Sequence, residues 1–107
     1  MDFITIDLLQ ELCRDTDCIE ITQHTLLRFQ ERGIMFCDVL NAIKNGEIIE
    51  TYPDDYPYPS CLLLGEYEGK PLHIVCGVGN NKLWIITAYF PSGDKWESDL
   101  RTRKEEK

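Results

Sequence analysis

The chain has 107 residues, 43% of them hydrophobic and 28% charged, the balance of an ordinary globular protein and not of a disordered one. A formal net charge of −8 and a sequence pI near 4.6 oppose general binding to nucleic acid, so any RNA or DNA function must rest on a local basic patch. This length suits one domain, 1–107, since two halves would each be too small to bury an adequate core.

In chain order, Thr5 is placed to cap a first helix in which Leu8, Leu9 and Leu12 recur at helical spacing. The Ile19-Glu-Ile21 alternation leads to Thr22, a good N-cap, and Gly33 closes the helix that follows over Gln23 to Arg32. At about 100° per residue, His24, Arg28, Glu31 and Arg32 share one side of it, and Leu26 and Phe29 lie nearly opposite. A third helix is expected around Asp38 to Lys44, with Val39, Leu40 and Ile43 buried and Gly46 as terminator.

From Glu47 onward the pattern is strand-like, over Glu47–Tyr52, Ser60–Tyr67, Leu72–Val78 and Lys82–Tyr89. Turn chemistry at Glu68-Gly69-Lys70 and Gly79-Asn80-Asn81 joins the last three runs into an antiparallel meander. Three prolines stiffen the connection Tyr52–Pro59. Beyond Pro91, Trp96 and Leu100 are expected to anchor a last helical turn, and 104–107 to fray. The expected fold is therefore α+β, with two to three N-terminal helices packed on a four-stranded antiparallel sheet.

The longest apolar stretch, around Leu83 to Phe90, is far short of the roughly 20 residues that cross a bilayer, and acidic Asp2 stands where a signal peptide carries basic charge. A soluble, cytoplasmic protein without a membrane partner is expected. Five cysteines at irregular spacings, without a Cys-x-x-Cys pair, argue against a disulfide framework and fit small buried hydrophobes. A zinc site drawn from Cys13, Cys18, His24 and Cys37 lacks the paired spacing of structural zinc sites, and no metal or cofactor is expected.

Four places carry polar chemistry. His24, Arg28 and Arg32 align at i, i+4, i+8, as three groups meeting a phosphate or carboxylate would, or as an ordinary exposed face paired with Glu31. His73 alternates with apolar neighbours on its strand, open for acid–base work or half-buried and hydrogen-bonded. Thr87 and Tyr89 share one strand face, suited to positioning or to packing. The loop Tyr56-Pro-Tyr-Pro-Ser60, after Asp54 and Asp55, suits recognition by stacking or serves as a rigid connector. No phosphate loop, dinucleotide fingerprint, zinc-protease motif or serine elbow occurs.

Taken in order, Gln23-His24-x-x-x-Arg28-x-x-x-Arg32-Gly33-Ile34, Asn45-Gly46-Glu47-Ile48-Ile49-Glu50, Tyr52-Pro-Asp-Asp55, Tyr58-Pro-Ser60-Cys61-Leu62, Pro71-Leu72-His73 and Ile86-Thr87-Ala88-Tyr89 resemble the family called domain of unknown function 4258. The resemblance runs from about Ile21 to Arg103, and departs where the third helix usually starts on a small capping residue but has Met35 or Phe36 here. That family is similar to RelE-like and MqsR-like toxins, in which helices precede a curved antiparallel sheet whose open face cleaves messenger RNA, often beside a zinc-ribbon, MqsA-like antitoxin. The resemblance implies a metal-independent endoribonuclease of a toxin–antitoxin pair. In it, His73 with Tyr89 or His24 would move protons, Arg28, Arg32 and Arg103 would stabilise charge on the bound RNA, and Thr87 would position the phosphate. The competing expectation is a non-catalytic protein-interaction module on the same scaffold, favoured by the acidic balance. A metal-binding regulator using the cysteines ranks third.

Overall fold

Thr5, Thr22 and Gly33 bound the first two helices as their chemistry requires in the computed structural model, which describes residues 4–93 and 95–102. Thr5 Oγ1 accepts from the Leu8 N–H at 3.1 Å to open α1 (Ile6–Cys13), and Thr22 Oγ1 accepts from the Thr25 N–H at 3.1 Å to open α2 (Gln23–Arg32). Gly33 ends α2 in the left-handed region at φ 70°, which costs a glycine nothing. α3 (Phe36–Asn45) starts at Met35 without a side-chain cap, and Asp38 places an acid in its first turn.

The strands are β1 (Ile19–Ile21), β2 (Glu47–Tyr52), β3 (Ser60–Tyr67), β4 (Lys70–Gly79) and β5 (Lys82–Tyr89). They form one sheet in the order β1-β5-β4-β3-β2, with β1 parallel to β5 and the other neighbours antiparallel. The four-stranded antiparallel sheet expected from the sequence is thus a five-stranded mixed one. Three residues carry a single alternation, too little to mark a strand, and β1 becomes one only because Leu83–Ile85 lies beside it. Both meander turns are two-residue loops with positive φ at each position, Glu68 (49°) and Gly69 (79°), then Asn80 (55°) and Asn81 (60°), the geometry that matches strand twist.

Alternation, with one register shift in β5 between Ile85 and Thr87, sends Leu63, Leu72, Ile74, Cys76, Leu83, Ile85 and Ala88 to one face, where Leu9, Phe29, Val39, Ala42 and Ile43 of the helices meet them. α3 approaches β3 closely. A Cβ added to Gly65 would lie 2.5 Å from the Ala42 carbonyl oxygen, and one on Gly46 2.7 Å from the same atom.

α2 stands at the sheet's margin. β1 pairs only with Leu83–Ile85, and beyond it Thr25 Oγ1 donates to the Ile86 carbonyl at 3.2 Å and Arg32 Nη1 to the Ala88 carbonyl at 2.8 Å. Side chains of α2 therefore continue the pairing that β1 begins, closing an edge that would otherwise invite another strand. This position corrects the expected apolar face. Phe29 is buried, but Leu26 is exposed, and Thr25 turns inward in its place because only the 25, 29, 32 row meets the sheet.

The expected helical turn near Trp96 and Leu100 does not form; residues 95–102 make turns instead. Asp99 Oδ1 accepts from the N–H groups of Arg101 and Thr102 at 2.9 and 3.1 Å, a local arrangement that competes with helix. Those same bonds, Arg101's first, hold the Asp99 carboxyl below its usual range. The expected fraying at 104–107 lies outside the described residues.

Of the five free cysteines, Cys13, Cys61 and Cys76 are buried, Cys18 is half-buried and Cys37 is exposed. Burial pushes the Cys13 thiol from 9.0 up to about 11. Cys76 is raised by its contact with Cys61 and then by burial. At neutral pH iodoacetamide is expected to modify Cys37 first and the three buried thiols only as the chain unfolds, as read by mass spectrometry. Because the folded value of Cys13 is raised, its contribution to stability is complete below pH 9.0 and is lost as pH rises through about 11. Equal labelling rates at all five would contradict this packing.

Candidate functional site: the face opposite the helices

His73, Thr87 and Tyr89 project to the face away from the helices, where register sets His73 beside Tyr89 and Val75 beside Thr87. His73 is completely buried there. Its Nε2 lies 2.8 Å from the Leu100 carbonyl, and since a carbonyl only accepts, this nitrogen carries the hydrogen. In that tautomer the Tyr89 hydroxyl faces the bare Nδ1 at 3.3 Å. Trp96, itself 2% exposed, stands edge-on to the imidazole with ring centres 4.4 Å apart. The segment 95–102 thus crosses the sheet from β5 over β4 and ends at β2, where Arg101 forms an ion pair with Glu47.

Of the other expected site residues, Arg32 and Thr87 come together, with Arg32 Nη1 donating to Thr87 Oγ1 at 3.2 Å. Arg32–Thr87 and Tyr89–His73 are thus two separate contacts, two residues apart on β5. His24 and Arg28 stay on the exposed side of α2, where Arg28 lies 3.8 Å from Glu31. Among the described residues no hydrogen bond or ion pair joins His24 or Arg28 to the His73–Tyr89 pair. Arg103 lies outside the described residues. These cations stand apart: Arg32 reaches β5, Arg28 stays on the exposed side of α2, and Arg101 is at β2, three strand spacings or roughly 14 Å across the sheet from β5.

Beside the covered histidine the same face carries an open aromatic groove of about 330 Å³, lined by Asp55, Tyr56, Pro57, Tyr58, Gly77, Trp84 and Ile86. Trp84 stacks on Tyr58 with ring centres 5.6 Å apart, and its Nε1 donates to the Gly79 carbonyl at 3.1 Å. Glycine is required beneath, since a Cβ on Gly79 would fall 1.9 Å from Tyr58 Cδ1. The loop 54–60 was legible as a recognition candidate, but Trp84 was not. Its signal is the pair Gly77 and Gly79, which leaves the strand opposite Trp84 without side chains.

Residues 21–90 match the family described as Domain of unknown function (DUF4258). The chain belongs to this family. No curated protein and no solved structure matches it. The matched part of the DUF4258 domain contains His24, Arg28, Arg32, His73, Thr87, Tyr89 and the whole aromatic groove, and it ends before Trp96. Trp96 and Leu100, which cover His73, lie beyond the matched residues. Among the described residues of this DUF4258 domain no three His, Cys, Asp or Glu side chains converge to hold a metal; Cys13 is buried and Cys37 exposed, so the drawn zinc set does not assemble. No helix is long and apolar enough to cross a membrane.

Proposed function

We propose that this DUF4258 domain is a non-catalytic protein-interaction module on a RelE-like scaffold. The observation that carries this reading is the burial of His73, whose two ring nitrogens face Tyr89 and the Leu100 carbonyl beneath Trp96. A general acid or base must reach the proton it moves, and this imidazole does not reach solvent. Among the described residues, separated cations form no continuous track for a phosphate backbone, and the charge of −8 opposes one. An acidic module of this kind meets a neutral or basic protein. The family resemblance points to a small zinc-ribbon, MqsA-like protein as that partner, and five free thiols fit a reducing cytoplasm.

A second reading, the metal-independent endoribonuclease, is favoured by the Arg32–Thr87 and Tyr89–His73 contacts along one strand. In it the 2′-OH attacks the adjacent phosphate, His73 takes its proton, a second group protonates the leaving 5′-oxygen, and Arg32 stabilises the phosphorane. That chemistry needs residues 95–102 to withdraw. The two readings separate in one assay. Purified chain, alone and with the product of the neighbouring reading frame, is incubated with messenger RNA in EDTA. We expect intact RNA and a stoichiometric complex. Cleavage that follows the chain through purification and disappears in both His73→Gln and Tyr89→Phe would establish the nuclease.

A further inference from the structure

Resting on the interaction-module reading, we infer that the Trp84 groove binds an extended, arginine- or lysine-bearing segment of a basic protein partner. Three observations converge on this occupant. Tyr56 is 94% exposed and Ile86 47%, an amount of bare apolar surface beside Trp84 that solvent does not favour. Indole Nε1 is spent on the Gly79 carbonyl, and the rings of Trp84, Tyr58 and Tyr56 border a shared hollow, the surroundings in which a cation is held against aromatic faces. Asp55 lines the groove with its Oδ2 accepting from Ser60 Oγ, its neighbour Asp54 is exposed, and among the described residues no cation pairs with either.

A second hollow of about 230 Å³ shares Trp84 and Ile86 and continues to Thr22 and Thr25. Its own acid, Glu20, is held by Lys82 at 2.7 Å, whereas among the described residues the carboxylates at the Asp54–Asp55 end have no cation beside them. A partner lying across Trp84 therefore places its cation beside the aspartates and an apolar or small side chain in the second hollow, the alternation that an extended strand supplies. RNA is disfavoured at the same spot, because its phosphates would meet those carboxylates.

The test uses the full ¹⁵N-labelled chain titrated with a short acetylated peptide of alternating arginine and serine, its citrulline counterpart, and a single-stranded RNA oligonucleotide. Citrulline keeps the shape of arginine and removes the charge. The arginine peptide is expected to shift the Trp84 indole N–H and leave that of buried Trp96 in place. Citrulline peptide and the Tyr56→Ala variant should each bind about tenfold more weakly, the usual scale of one aromatic–cation contact. Tyr56 is almost wholly exposed, so its removal leaves the fold standing. An unmoved Trp84 signal, equal affinity for citrulline, or tighter binding of RNA would each overturn the inference. If the stoichiometric partner complex forms but tolerates Tyr56→Ala, the groove assignment fails and the module reading survives.

Discussion

Gly65→Ala is expected to cost about 3 kcal/mol of stability, seen as a melting temperature lower by more than roughly 10 °C in thermal unfolding. The new Cβ would lie 2.5 Å from the Ala42 carbonyl oxygen, 2.8 Å from Ala42 Cβ and 2.9 Å from Ala42 C. Two of those atoms are helix backbone, which cannot swing aside as a side-chain tip does. Relief requires α3 to move off β3, and that would open the contacts of Val39, Ala42 and Ile43, all fully buried. Gly93→Ala, with nothing within 4 Å of its added Cβ, is the control and should be near neutral. Equal costs for the two would mean that the helix–sheet spacing is softer than described.

His73→Ala is the second large effect. It leaves a void under Trp96 and removes the partner of the Leu100 carbonyl at 2.8 Å and of the Tyr89 hydroxyl at 3.3 Å. Cavity and lost hydrogen bonds together are expected to destabilise the fold by about 3 kcal/mol. The damage should be polarised: the stretch 95–102 loosens first, so trypsin cuts after Lys95 and Arg101 faster than in the unaltered chain. A variant with unchanged melting and unchanged proteolysis would show that His73 does not pin this segment.

These two residues also mark what the sequence could and could not reveal. Strand boundaries at Glu47–Tyr52, Ser60–Tyr67 and Lys82–Tyr89 coincide with the alternation and turn residues, because those strands are long enough to show their period. The limits of α2 coincide for the same reason, with Thr22 and Gly33 acting locally. Ile19–Ile21 failed as a strand signal since its pairing comes from residues Leu83–Ile85, far along the chain. Leu26 failed as a core position because helix periodicity names a face without saying how wide a contact the neighbour offers.

At the candidate site, parity alone groups Thr87 and Tyr89 with core-facing Leu83 and Ile85, and it is the register shift between Ile85 and Thr87 that sets them on the side of His73; helix spacing groups His24, Arg28 and Arg32, yet Arg32 turns to β5 and the other two stay exposed. What no periodicity encodes is the path of residues 95–102. Nothing in the local pattern of Trp96, Asp99 and Leu100 says that they lie over His73. The aromatic groove was half legible for a similar reason. Tyr56, Pro57 and Tyr58 announce themselves as a loop, whereas Trp84 belongs to a strand and takes its neighbours from Gly77 and Gly79 of another.

The parallel pairing of Ile19–Ile21 with Leu83–Ile85 sets an order of events on the ribosome. When α2, α3 and the first antiparallel pair have left the exit tunnel, β5, the strand that joins edge strand β1 to the rest, is still being synthesised. Leu9 and Phe29 then have no lid of Leu83, Ile85 and Ala88 to rest against, so the nascent chain holds exposed apolar surface until its last strand arrives. Truncation before Leu83, which removes all of these residues, is consequently expected to yield a chaperone substrate and not a smaller folded domain.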